Sequence, residues 1–157
     1  MNQNEVLEIL NIKGIKMSLA ESCTGGMIGE IITSVPGSSS CFLGSAVTYS
    51  NESKERLLGV KHETLLAHGA VSRETAIEMA FGSLEAFGSD VAGSVTGIAG
   101  PGGGTEEKPV GTVHMCITDG LRKAAFQYAF KGDREEIRRQ TADALIDNMC
   151  DFLKGIL

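Results

Sequence analysis

Between Ile15 and Tyr49 the chain runs as an extended apolar segment, a polar turn with two glycines, a helical repeat and a second extended segment. Ile15 to Ala20 has the alternation of a strand, while Met27, Ile28, Ile31 and Ile32 recur at helical spacing. Thr24 is the predicted N-cap of that helix, which the Pro36-Gly37 turn should end. Ser38 to Ser40 reads as loop and Phe42 to Tyr49 as a strand. A strand–helix–strand start of this length belongs to α/β proteins.

The remaining pattern extends that reading. Residues 4–13 carry a helical apolar face closed by Gly14. Asn51-Glu52-Ser53 opens a short helix over Lys54 to Leu58, His62 to His68 forms another, and Ser72 caps a long helix to Phe87. Val91 to Thr96 is a short apolar strand, and a glycine-rich loop follows from Gly97 to Lys108. Val110 to Thr118 and Leu121 to Phe130 form a hairpin joined by Asp119-Gly120. Asp133 and Glu136 make a capping box for a final helix. The expected fold is a three-layer α/β/α single domain over residues 1–157, whose mixed sheet includes an antiparallel hairpin near 110–130.

Composition narrows the partners. The net charge of −6 disfavours nucleic acid, whose binding depends on phosphate neutralisation. Four cysteines, at 23, 41, 116 and 150, form no C-x-x-C pair, so neither a disulfide scaffold nor a zinc site is expected. His62, His68 and His114 share no metal-ligand spacing. The first residues lack a basic region followed by an apolar one, and no apolar run approaches the ~20 residues of a membrane span. A soluble cytoplasmic protein is expected. Twenty glycines exceed the usual share of about 7%, which implies several close backbone approaches.

The turn Ala20-Glu21-Ser22-Cys23-Thr24-Gly25-Gly26 brings a hydroxyl and a thiol to the start of a helix, where unpaired N–H groups favour an oxyanion or a phosphate. A serine needs a neighbour to remove its proton, and Tyr49 and Lys54, projecting to one sheet edge, are candidates. Lys54 acts as a base only if burial or a nearby cation lowers its pKa; otherwise it is an ordinary solvated lysine. The loop Thr96 to Thr105 is neither a Walker A nor a dinucleotide motif, and suits an anion or a planar ring, unless it is only a long surface connection. Arg134 and Arg138 start a helix whose dipole disfavours them, so an anionic ligand or the neighbouring glutamates should partner them.

Several of these segments recur together in one family: residues 20–26, Val-Thr-Tyr-Ser-Asn-Glu over 47–52 with Lys54, and His-Gly-Ala-Val-Ser over 68–72. Gly-Ile-Ala-Gly-Pro-x-Gly-Gly over 97–104, Glu-Lys-Pro-Val-Gly-Thr-Val over 107–113 and Gly-Asp-Arg over 132–134 complete the set. The chain closely resembles the C-terminal domain of the competence/damage-inducible protein CinA, whose stand-alone versions are nicotinamide-nucleotide amidohydrolases. The resemblance covers nearly the whole chain.

That resemblance implies hydrolysis of nicotinamide mononucleotide to nicotinic acid mononucleotide and ammonia, without metal or organic cofactor. Ser22 would be the nucleophile, Lys54 or Tyr49 the base, and the N–H groups of Thr24, Gly25 and Gly26 the oxyanion hole. Thr96, Gly97 and Gly100 would line the nucleotide pocket, with Arg134 or Arg138 on the 5′-phosphate or orienting the catalytic group. Cys23 is the rival nucleophile. Successive strand residues point to opposite faces, so only one of the pair should face Lys54, and the resemblance favours Ser22. The competing class is a non-catalytic nucleotide sensor linked to competence or damage responses; a third reading is an amidase for another amide substrate. No nucleic acid or membrane partner is expected, and a homodimer is the default assembly.

Overall fold

The computed structural model describes residues 2–157; Met1, the first residue of the expected domain, lies outside them. Its elements in chain order are α1 (Gln3–Lys13), β1 (Met17–Glu21), α2 (Met27–Thr33), β2 (Phe42–Val47), α3 (Asn51–Leu58), α4 (His62–His68) and α5 (Arg73–Phe87). Then come β3 (Val91–Gly97), β4 (Thr112–Thr118), β5 (Lys123–Ala129) and α6 (Arg134–Leu153). The sheet order is β2-β1-β3-β4-β5. β2, β1 and β3 are parallel, while β4 and β5 run antiparallel to their neighbours. The result is the expected mixed sheet between two helical layers.

The layers differ in chemistry because side chains alternate along each strand. Met17 and Leu19 of β1, Val91 and Val95 of β3, and Val113, Met115 and Ile117 of β4 join α1, α2 and α6 in the main apolar core. The opposite face meets α3, α4 and α5 through smaller residues and hydroxyls. Ser18 Oγ lies 2.8 Å from Ser83 Oγ, Ser94 Oγ donates to the Ala76 carbonyl at 2.5 Å, and Thr96 Oγ1 donates to the Ala70 carbonyl at 2.9 Å. Small residues let α5 approach closely. At Gly82 a Cβ would sit 1.9 Å from the carbonyl oxygen of Leu58, the last residue of α3.

Most predicted helix ends are found. Ser72 caps α5 by accepting from the Thr75 N–H, and Asp133 with Glu136 forms the capping box of α6. Four predictions need correction. Ser38–Ser40 is a 3-10 turn, and β2 stops at Val47, leaving Tyr49 in the connection to α3. In the hairpin the Asp119 N–H bonds the Arg122 carbonyl at 3.3 Å, so the two-residue loop is Gly120-Leu121. Finally, the N-cap of α2 is Gly26, with φ +104°, rather than Thr24.

Candidate active site

The displacement of Thr24 from the N-cap has a cause in the residue before Ser22. Glu21 ends β1 fully buried, and its carboxylate gathers five donors. Oε1 accepts from Thr24 Oγ1 at 2.7 Å, the Gly26 N–H at 3.2 Å and the Ile28 N–H at 3.0 Å. Oε2 accepts from the Gly29 N–H at 3.0 Å and from Ser45 Oγ, on neighbouring β2, at 2.6 Å. A carboxylate satisfies the free N–H groups of a helix start and complements its dipole. Glu21 thus ties strand, turn, helix and adjacent strand at one point.

The turn that follows presents Ser22 and Cys23. The Ser22 N–H extends the sheet by donating to the Val95 carbonyl at 3.2 Å, and the Gly25 N–H closes a β-turn onto the Ser22 carbonyl at 3.1 Å. Both nucleophile candidates line one cleft of about 270 Å³, with Tyr49, Asn51, Lys54, Thr96, Gly97 and Arg134. Of the pair, it is Ser22 whose hydroxyl meets Lys54, as expected.

Lys54 comes from α3, whose start is held by reciprocal bonds between Ser50 and Ser53. It is only 1% exposed. Its Nζ donates to Ser22 Oγ at 3.0 Å and to the Thr48 carbonyl at 2.7 Å. Among the described residues no carboxylate forms an ion pair with it. Burial disfavours the ammonium and lowers the Lys54 pKa from 10.5 to about 8. The Cys23 thiol, also buried, is pushed up to about 11, so it is protonated near neutrality. Of the two candidates, only the serine has the amine on its reacting atom.

The other expected site residues separate into distinct places. Tyr49 is 64% exposed, and its hydroxyl accepts from Arg134 at 3.0 Å rather than touching Ser22. Arg134 also donates to the Gly100 carbonyl at 2.5 Å, fastening the glycine-rich loop to the start of α6. Thr96 and Gly97 line the cleft; Gly100 stands behind it as that acceptor. A side chain at Gly97 is excluded, since its Cβ would lie 2.7 Å from Val113 Cγ2. Arg138 faces the turn, donating from Nε to the Cys23 carbonyl at 3.1 Å and from Nη2 to the Thr24 carbonyl at 2.8 Å.

The expected oxyanion donors also change. The Gly26 amide is bound by Glu21 and the Gly25 amide by Ser22, which corrects their assignment. Thr24 points its hydroxyl at Glu21. Among the described residues the backbone amides of Cys23 and Thr24, the two central residues of the turn, meet no acceptor. Those are the donors beside Ser22 that remain open. Among the described residues no group of three or more His, Cys, Asp or Glu is gathered for a metal, and no helix is long and apolar enough to cross a membrane.

The fold is thus a mixed α/β sheet with a buried lysine bonded to a serine at the end of a parallel strand. The chain belongs to the CinA C-terminal domain family, whose model matches residues 2–153. A CinA-like protein of Endomicrobium trichonymphae is 55% identical over 131 residues, covering 83% of this chain and 31% of the relative. That of Citrifermentans bemidjiense is 52% identical over 145 residues, covering 92% and 35%. The chain thus spans about a third of the length of the curated relatives it matches.

Solved structures agree in fold. A competence/damage-inducible protein of Agrobacterium tumefaciens superposes with a TM-score of 0.91 at 39% identity, over 97% of this chain and 94% of that one. A CinA superfamily protein of Klebsiella pneumoniae gives 0.94 at 31% identity, over 98% and 96%.

Proposed function

We propose that the chain is an amidohydrolase that converts nicotinamide mononucleotide to nicotinic acid mononucleotide and ammonia, with Ser22 as nucleophile and Lys54 as base. The observation that carries this reading is the 3.0 Å contact between Lys54 Nζ and Ser22 Oγ, made by an amine whose pKa is lowered to about 8. At pH 7 about a tenth of such an amine is neutral, so a useful fraction can accept the serine proton. Tyr49, bound to Arg134 at the rim, fits substrate contact better than proton transfer.

The chemistry then runs in two stages. Neutral Lys54 takes the Ser22 proton as Oγ bonds to the carboxamide carbon, whose oxygen becomes the oxyanion. The amides of Cys23 and Thr24 hold that oxyanion, and one such donor contributes about 3 kcal/mol. As the carbon–nitrogen bond breaks, the Lys54 ammonium gives its proton to the leaving nitrogen, which departs as ammonia. Water next attacks the acyl-serine while Lys54 accepts its proton. When the ester bond breaks, that proton returns to Ser22 and the acid product is freed. Arg134, at the rim, is suited to the 5′-phosphate through its guanidinium fork.

The test is ammonia release from nicotinamide mononucleotide by the wild-type chain and by Ser22→Ala, with chelator present. Turnover by the first and none by the second supports the reading. Tight binding without turnover by either would favour the nucleotide sensor.

A further inference from the structure

Arg138 ties two carbonyls of the nucleophile turn and is not itself among the residues that line the cleft. Its two bonds fix two adjacent peptide planes. The peptide between Cys23 and Thr24 is trans, so its C=O and N–H point in opposite directions. With the Cys23 carbonyl on Arg138, the Thr24 N–H is aimed away from the guanidinium. The next peptide obeys the same rule: its carbonyl, on Thr24, meets Arg138, and its N–H, on Gly25, reaches the Ser22 carbonyl at 3.1 Å. The Thr24 N–H therefore points away from the guanidinium and meets no acceptor among the described residues.

We propose that Arg138 is a positioning residue, which holds the Cys23–Thr24 peptide plane so that its free N–H meets the substrate oxyanion. The inference rests on the amidase reading above. Arg138 carries a further effect through the bond itself. A cation on a peptide oxygen draws density from that amide and strengthens its N–H as a donor, as chains of hydrogen bonds do. Glu21 complements it from the other side. By occupying the amides of Gly26, Ile28 and Gly29 it closes the start of α2 to substrate and leaves the turn amides as the donors nearest Ser22. A guanidinium suits the task because its planar fork spans two carbonyls at once.

The experiment compares kcat and KM for ammonia release from nicotinamide mononucleotide by wild type, Arg138→Ala and Arg138→Lys, with melting curves for all three. The expected result for Arg138→Ala is a fall in kcat of about 100-fold, the loss typical of one oxyanion donor, with KM unchanged. Added guanidinium ion at millimolar concentration should restore part of that kcat, which a general loss of stability would not allow. Arg138→Lys keeps the charge but not the fork, and should fall between the other two.

A variant kcat close to wild type overturns the proposal. So does a raised KM with kcat intact, which would put Arg138 on the substrate, and so does failure of both variants to fold. If the wild-type chain itself releases no ammonia, the amidase reading falls first and the oxyanion role goes with it.

Discussion

Lys54 Nζ lies 3.0 Å from Ser22 Oγ and 2.7 Å from the Thr48 carbonyl, on a residue that is 1% exposed. Both partners are neutral, so neither holds the lysine charged. The drop in pKa from 10.5 to about 8 corresponds to about 3 kcal/mol against the ammonium. A buried lysine kept in that condition is poised to exchange a proton with the one hydroxyl it touches.

The pH dependence follows from that value. The base form is the neutral amine, so kcat/KM should rise about tenfold per pH unit below 8 and level off above it. Lys54→Met should remove the ascending limb along with nearly all activity. A profile flat from pH 6 to 9 in the wild type would contradict the role of Lys54. Stability moves in the same sense: the folded state binds fewer protons than the unfolded chain between about 8 and 10.5, so Lys54 adds stability as pH rises through that window.

Ser22 and Cys23 line the same cleft, yet their substitutions should diverge. Ser22→Ala is expected to lower ammonia release at least a thousandfold, whereas Cys23→Ala should stay within about threefold of wild type. The thiol, raised to about 11, is not a thiolate at neutral pH and Lys54 bonds the neighbouring hydroxyl instead. Steady-state ammonia assays on the two variants decide between them, and the reverse pattern would make Cys23 the nucleophile.

Glu21→Gln tests the carboxylate at the start of α2. An amide offers one acceptor oxygen in place of two and turns an NH2 group toward existing donors. We expect a loss of about 3 kcal/mol by urea unfolding, because hydrogen bonds to a charged group are among the stronger ones and at least one buried donor is orphaned. A loss below about 1 kcal/mol would show that water or a shifted turn replaces the carboxylate.

Gly82→Ala separates local preference from packing. In an exposed helix interior the exchange gains about 1 kcal/mol. Here the added methyl would meet the Leu58 carbonyl at 1.9 Å, so α5 must move away from α3, and destabilisation of about 1–3 kcal/mol is expected. Since α3 carries Lys54, activity should fall with it. Thermal melting and ammonia release on the same preparation check both effects.

How much of this was legible beforehand depended on the range of the interaction. The caps at Ser72 and Asp133 and the helix end at Gly14 are settled within a few residues, and the sequence pattern places them where the structure has them. The strand–helix pattern brings Lys54 and Tyr49 to the sheet edge near Ser22 as alternative bases, and the choice of Lys54, 32 positions from the serine, needs the three-dimensional contact. The acceptors of Arg138 are more than a hundred positions away and are backbone carbonyls, which carry no side-chain signature. The same limit hid Glu21: local pattern suggested Thr24 as cap, whereas the convergence of β1, β2 and α2 gives the carboxylate every donor within reach.

The hydroxyl-lined face of the sheet has a consequence for how this molecule can change. On the α6 side, one aliphatic can replace another of similar volume at modest loss. On the α5 side, Ser18, Ser94 and Thr96 hold their partners by directed bonds, and a methyl in place of any of them leaves a carbonyl or hydroxyl unanswered in a dry layer. The helices that carry Lys54 and frame the cleft hang on that second face. Mutational latitude is therefore unequal across the sheet: the aliphatic packing under α6 tolerates exchange, while the hydroxyl-bonded layer that sets Lys54 against Ser22 must be inherited nearly intact.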